Sequence, residues 1–219
     1  ASGAYITDGK FGNARTFDGV NDYISVPDSS SLRLSSGLTL EMWYKTTEIP
    51  VDWIVPVRKD TETGTRYLYG FAFDGSSGGR IYGQYYNGTN FIGTYTDSEV
   101  FDGNWHHAVM TISGTTLKFY FDGVLKDTVT ITGTQGVPTG ELDIGAQPPW
   151  TEGSRGHFFE GSIDEVRISN TVATASEIHE RWTEGSSNAT TLRSRASEHF
   201  LEGDGGFEIE SSGTTVDAN

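Results

Sequence analysis

Three oxygen-bearing residues, Asp18, Asn21 and Asp22, fall within five positions of one another in a turn-rich stretch. Ca2+ is bound by about six to eight oxygens from carboxylates, amides and backbone carbonyls, which irregular loops supply well. Such a trio needs a remote carboxylate to complete it. The alternative chemistry is local, with Asp18 and Asp22 acting only as turn acceptors. A second group is aromatic. Tyr67, Tyr69, Tyr82, Tyr85, Tyr86, Phe91 and Tyr95 crowd one region, while Trp53 and Trp150 stand in proline-containing loops suited to exposed platforms. Flat rings with a polar tip stack on sugar faces and hydrogen-bond to hydroxyls. Trp53, Tyr67, Tyr69, Tyr82, Tyr86 and Trp150 are therefore the candidate carbohydrate contacts, and Arg58 and Arg80 suit acidic glycans. The competing use of these rings is a sandwich core, which Phe71 and Phe73 must at least help to build. His106 and His107 are adjacent, and adjacent strand residues point to opposite faces. They cannot share one ion, and the expectation is one buried histidine and one exposed.

These side chains need strands and turns to place them. Apolar segments are short, alternate with a period of two, and end at Gly, Asp, Asn or Pro. Leu38–Tyr44, Arg66–Phe73 and Leu117–Phe121 show the pattern most clearly, and about a dozen strands are expected. Turn signals every ten residues or so indicate an antiparallel sandwich or barrel rather than βαβ units. Phe-Asp-Gly occurs four times, beginning at Phe17, Phe73, Phe101 and Phe121, at irregular spacing. It marks turns rather than a repeat, and Phe121-Asp122-Gly123 predicts a hairpin between Leu117–Phe121 and Val124–Ile131. Thr174–Trp182 reads as one helix, with Thr174 and Glu177 spaced as a capping box and Ile178 and Trp182 sharing a face. Gly185-Ser186-Ser187-Asn188 reads as a linker. Residues 192–219 form an acidic tail too poor in apolar residues for a core of its own, either flexible or carrying a strand over Gly206–Glu210 that pairs elsewhere on its own sandwich or on a neighbour.

Composition excludes several classes. The chain has 219 residues, no cysteine and a formal charge of −15. Disulfide scaffolds, thiolate metal sites and cysteine nucleophiles are ruled out. No apolar run approaches the length of a membrane-spanning helix. The negative charge repels phosphate backbones, so nucleic acid is an unsuitable partner. Most of that charge is expected to serve solubility. The sequons at Asn87 and Asn188 permit glycosylation of a secreted protein. The chain begins at Ala1 rather than Met, as expected of a mature or excised segment.

Several segments together resemble the laminin G-like, concanavalin A-like jelly-roll domains of secreted proteins. They are Gly9–Pro27, Leu38–Trp43, Trp105–Val109 with Phe121-Asp122-Gly123, and Phe159–Ile168, with the helix in its family position. The resemblance implies an all-β antiparallel sandwich with one short C-terminal helix over residues 1–184, followed by a linker and acidic tail over 185–219. It also implies a structural Ca2+ completed by Asp164, giving Asp18, Asn21, Asp22 and Asp164 as the expected ligand set. Laminarinase-like enzymes of this fold carry Glu-x-Asp-x-Glu or Glu-x-Asp-x-x-Glu on one strand. The best match, Glu141-Leu142-Asp143-Ile144-Gly145-Ala146, has Gly145 or Ala146 where the second Glu belongs. The fold hosts many functions.

The reading that results is an extracellular or cell-surface binding module, not an enzyme. It is stabilised by Ca2+ and recognises carbohydrate or a glycosylated partner in adhesion, without membrane insertion. The alternatives are a filament or surface-layer subunit that self-assembles through residues 192–219, and a glycoside-active enzyme.

Overall fold

A computed structural model describes residues 3–61, 66, 68–75, 79–96, 100–149 and 154–186, and the backbone of 207–211 and 214–216. Two sheets face each other. The larger has the order β1 (Tyr5–Asp8), β2 (Asn13–Asp18), β13 (Glu160–Ser169), β4 (Leu38–Lys45), β9 (His106–Ser113), β10 (Thr116–Phe121) and β11 (Val124–Thr130). The smaller runs β3 (Ile24–Val26), β12 (Leu142–Ile144), β5 (Ile54–Lys59), β6 (Leu68–Asp74), β7 (Arg80–Tyr86) and β8 (Phe91–Thr96). All pairs along these two paths are antiparallel, and the sandwich with a single short helix matches the sequence expectation.

The core forms where the inward alternate positions of the two sheets meet. Phe71 lies edge-on to Phe119 with centroids 6.2 Å apart, and Phe73 meets both Tyr44 and Phe159. Such ring pairs add about 1 kcal/mol each beyond the area they bury. The Phe121-Asp122-Gly123 hairpin is as predicted. Asp122 and Gly123 both have positive φ, 49° and 72°, the geometry of a type I′ turn that matches strand twist.

α1 (Ala175–Ser186) begins at the expected capping box. Glu177 N donates to Thr174 Oγ1, and Thr174 N donates back to Glu177 Oε2. Ile178 is fully buried against Val109 and Tyr120 on the outer face of the larger sheet. The helix is one turn longer than the sequence suggested and takes in Gly185 and Ser186, so these are not linker. Gly185 sits directly on Trp43, where a Cβ would come within 2.2 Å of Cζ2. The bare backbone of Gly185 allows this close approach of helix and ring, which the sequence does not reveal.

The tail strand is present as β14 (Phe207–Ser211), which pairs with β15 (Thr214–Val216) and, in parallel, with β13. β2 pairs with β13 only over Glu160–Ile163, which leaves that edge open from Val166 onward, and β14 takes it up. No helix among the described residues is long and apolar enough to cross a membrane.

Candidate functional site

The register of the smaller sheet aligns Ser25, Asp143, Arg58, Gly70, Gln84 and Gly93 in one row across all its strands. Arg58, Gln84 and Gly93 line a groove of about 520 Å3 on the outer face. Arg58 is only 5% exposed, yet it crosses β6 to reach Gln84: Nη2 donates to Gln84 Oε1 at 3.2 Å and Nη1 to Gln147 Oε1 at 2.6 Å. Gly70 permits the crossing. A Cβ there would stand 2.5 Å from the Val57 carbonyl oxygen and 3.2 Å from Arg58 Cβ. Among the described residues Arg58 Nε has no hydrogen-bond partner. Burial pushes the Arg58 pKa down to about 10, opposed by Asp60 and reinforced by Arg66, so the group stays charged at neutral pH. Arg66 grips Asp60 through Nε at 3.0 Å and Nη2 at 2.5 Å.

Aromatic rings wall the groove. Trp53 leans on Tyr82 with centroids 5.1 Å apart, Tyr82 on Tyr95 at 5.0 Å, and Arg80 covers Tyr95. Phe91 is 58% exposed and meets Tyr86 at 4.5 Å. His157 Nδ1 lies 2.5 Å from the Trp53 carbonyl oxygen, which ties the return loop to this wall.

Of the candidate sugar contacts, Trp53 and Tyr82 meet in the groove and Tyr86 stands beside it. Tyr69 does not belong to the site. It is fully buried with Phe71 and Phe73, and its hydroxyl donates to the Leu32 carbonyl at 2.7 Å. Period two puts it on the core face. Tyr67 and Trp150 lie outside the described residues. The sequence reading missed Gln84 and Gln147 and left Phe91 out of the contact set. Alternation from Tyr82 to Gln84 to Tyr86 was the available signal for Gln84. Gln147 reaches the groove only through tertiary packing.

Of the expected Ca2+ ligands, Asp18, Asn21 and Asp22 share one turn, but Asp164 does not join them. β2 and β13 pair antiparallel with Asp18 opposite Glu160, so Asp164 stands four positions along, roughly 13 Å away. Asp18 Oδ1 caps its own turn, accepting from Val20 N and Asn21 N. Asp22 Oδ2 accepts from Asp18 N, and Gly3 closes on Oδ1 so tightly that a Cβ there would clash. Asp164 accepts from Phe11 N and Glu165 N at 2.9 Å each. Burial drives the Asp164 pKa up to about 6 against the N–H groups that favour its charge. Among the described residues, no three His, Cys, Asp or Glu side chains cluster as metal ligands. Asp18, Asn21, Asp22 and Asp164 thus do not fit one cation as a set.

The glycosidase-like pattern serves another purpose. Glu141 and Asp143 both hold Arg155, with Nε 2.6 Å from Asp143 Oδ2. Gly145, where a second catalytic Glu would stand, has φ 88°, and a Cβ there would lie 2.3 Å from Phe17 Cδ1. No side chain fits.

Both histidines are buried, contrary to the expected buried and exposed pair, although they do point to opposite faces. His106 bridges Asp122 at 2.9 Å and Asp102 at 3.0 Å. Burial disfavours its charge, but the two aspartates outweigh burial and raise its pKa. His107 stacks on Trp43 beneath α1, in a cavity of about 320 Å3 that also holds Glu41. Burial favours neutral Glu41, but His107, Arg181 and Arg167 hold it at about 2. Asn87 of the first sequon is 5% exposed, with its amide donating to Thr132 O and accepting from Thr89 and Asn90, so it is a turn residue. Asn188 lies outside the described residues.

Known structures share the architecture. Domain 4 of AbnA, an extracellular GH43 arabinanase from Geobacillus stearothermophilus solved with arabinotriose, has a TM-score of 0.60 at 19% identity, covering 82% of this chain and 81% of that one. A heptameric SAP-like pentraxin from Limulus polyphemus has a TM-score of 0.60 at 15% identity, covering 75% and 78%. Mouse laminin α1 LG4-5 has a TM-score of 0.60 at 14% identity, covering 80% of this chain and 46% of that one. At such identities the likeness is one of fold. No curated protein matches the chain. Residues 18–179 match a laminin G family model described as the concanavalin A-like lectin/glucanases superfamily, and the chain belongs to that family.

Proposed function

We propose that this chain is a non-catalytic carbohydrate-binding module that takes its ligand in the groove of the smaller sheet. The observation that carries the reading is the pairing of an aromatic wall (Trp53, Tyr82, Phe91) with a polar floor of Arg58, Gln84 and Gln147. Apolar walls with a few fixed polar groups are what ligand sites present, and rings suit pyranose faces. A related fold carries arabinotriose in the arabinanase domain. The module works outside the cell, attaching its parent protein to a polysaccharide or glycosylated surface. The test is a glycan array, followed by calorimetry on Trp53→Ala and Tyr82→Ala. Binding by the native chain, weakened about tenfold or more in each variant at an unchanged melting temperature, supports the reading. An array with no bound glycan overturns it.

A second reading rests on β14. Its slot on β13 accepts a strand through main-chain hydrogen bonds, and a strand from a neighbouring copy satisfies the same groups. Self-assembly by strand exchange would make the chain a subunit of an extracellular array. Light scattering on the full chain and on a chain ending at Ser186 tests this. The same oligomeric state in both ends the reading.

A further inference from the structure

We propose that the groove selects an acidic saccharide and that Arg58 binds its carboxylate or sulfate group. The inference rests on the carbohydrate-binding reading above and adds the chemical class of the sugar.

The first observation is a local absence of negative charge. The chain carries thirty Asp and Glu, yet among the described residues none lines this groove, where the basic side chains are Arg58, Arg66 and His157. The cavity under α1 shows the contrast, since Glu41, Glu165, Glu177, Glu180 and Glu184 all line it. The overall charge of −15 does not undo this, because exposed charges beyond about 8 Å are screened at physiological salt.

The second observation is how Arg58 is held. Buried arginines normally pair with carboxylates, because an uncompensated charge out of water is costly. Among the described residues Arg58 bonds no carboxylate. Each terminal nitrogen donates one of its two N–H groups to a neutral amide oxygen, of Gln84 or Gln147, and its Nε–H has no acceptor among the described residues. The described acids beside it are engaged elsewhere: Asp60 is gripped by Arg66, and Asp143, opposite Arg58 on β12, is held by Arg155. Two glutamine amides and the bare backbone of Gly70 thus hold a desolvated cation in place with no described carboxylate bonded to it. An incoming acid supplies the missing counter-charge, and the planar guanidinium suits carboxylate and sulfate oxygens. Trp53 and Tyr82 stand on the wall of the same groove, so one sugar can stack on the rings while its acidic substituent reaches the floor. Arg80, the other candidate for acidic glycans, is stacked on Tyr95 and is not part of the groove lining.

The experiment is calorimetry on the full chain at about 0.15 M salt. The probes are an oligogalacturonate, a sulfated galacto-oligosaccharide and a neutral galacto-oligosaccharide of equal length. At least one acidic probe is expected to bind about tenfold or more tighter than the neutral one, with affinity falling as salt rises. The tighter of the two identifies carboxylate or sulfate as the natural acid. Arg58→Met should abolish the preference, and Arg58→Lys should retain part of it. Equal or tighter binding of the neutral probe by the native chain overturns the inference. If Trp53→Ala still weakens that neutral binding, the carbohydrate reading survives. The native comparison holds even where Arg58→Met folds poorly. Binding of no saccharide at all overturns both.

Discussion

Arg58 reaches Gln84 across an intervening strand, its Nη2 standing 3.2 Å from the amide oxygen, and the strand between them is bare at Gly70. A charged group is thereby fixed on the floor of a groove whose walls are rings. The arrangement depends on three strands in register and on one missing side chain.

Gly70→Val should damage both stability and binding. A Cβ at this position meets backbone 2.5 Å away, and backbone cannot swing aside as a side chain can. Overpacking of this kind costs about 1–3 kcal/mol. Denaturant unfolding should show that loss. Calorimetry on the folded variant should show weakened saccharide binding, because Arg58 no longer reaches Gln84.

Tyr69→Phe separates core from site. The substitution keeps the ring and removes one hydrogen bond to Leu32 O, worth about 1 kcal/mol. Stability should fall by that amount while saccharide affinity stays within about twofold. A large affinity loss in a folded Tyr69→Phe protein would return Tyr69 to the binding site.

His106 gives stability an acidic-side component. Its pKa is raised in the folded protein, so the contribution of its charged form is complete below the unfolded value near 6.5 and is lost as pH rises through the folded value. His106→Gln should therefore destabilise more at about pH 5 than at about pH 8, the difference being a few tenths to about 1 kcal/mol. Equal losses at both pH values would show that Asp102 and Asp122 do not engage the charged ring.

Asp164 shifts stability in the same direction as His106, the reverse of an ordinary paired carboxylate. Its folded pKa of about 6 lies above the ordinary 3.8, so stability is lost as pH rises between these values. Asp164→Asn should flatten that part of the stability profile by about 2 kcal/mol, allowing for partial solvent screening. Because Asp164 stands apart from Asp18 and Asp22, any change in melting temperature between chelator and millimolar Ca2+ should be the same in Asp164→Asn as in the native chain. A Ca2+ response that vanishes in the variant would put Asp164 back among metal ligands.

The amino-acid sequence alone determined what depends on neighbours a few positions apart. Alternation marked the strands, Asp122-Gly123 marked the type I′ hairpin, and Thr174 with Glu177 marked the helix start, because turn, cap and face are local properties of the chain. Alternation also separates Tyr69 from Tyr82, although composition had put both among candidate sugar contacts. Only the tertiary structure decided which distant residues meet. The register of β2 on β13 separated Asp18 from Asp164, and the pairing of β5, β6 and β7 brought Arg58 over Gly70 to Gln84. The contact of Gly185 with Trp43, and the place of His107 in the cavity beneath α1, likewise join segments far apart in the chain. A pairing shifted by one residue would turn every side chain of a strand to its other face, so partners across strands are fixed by the whole sheet and by no single segment.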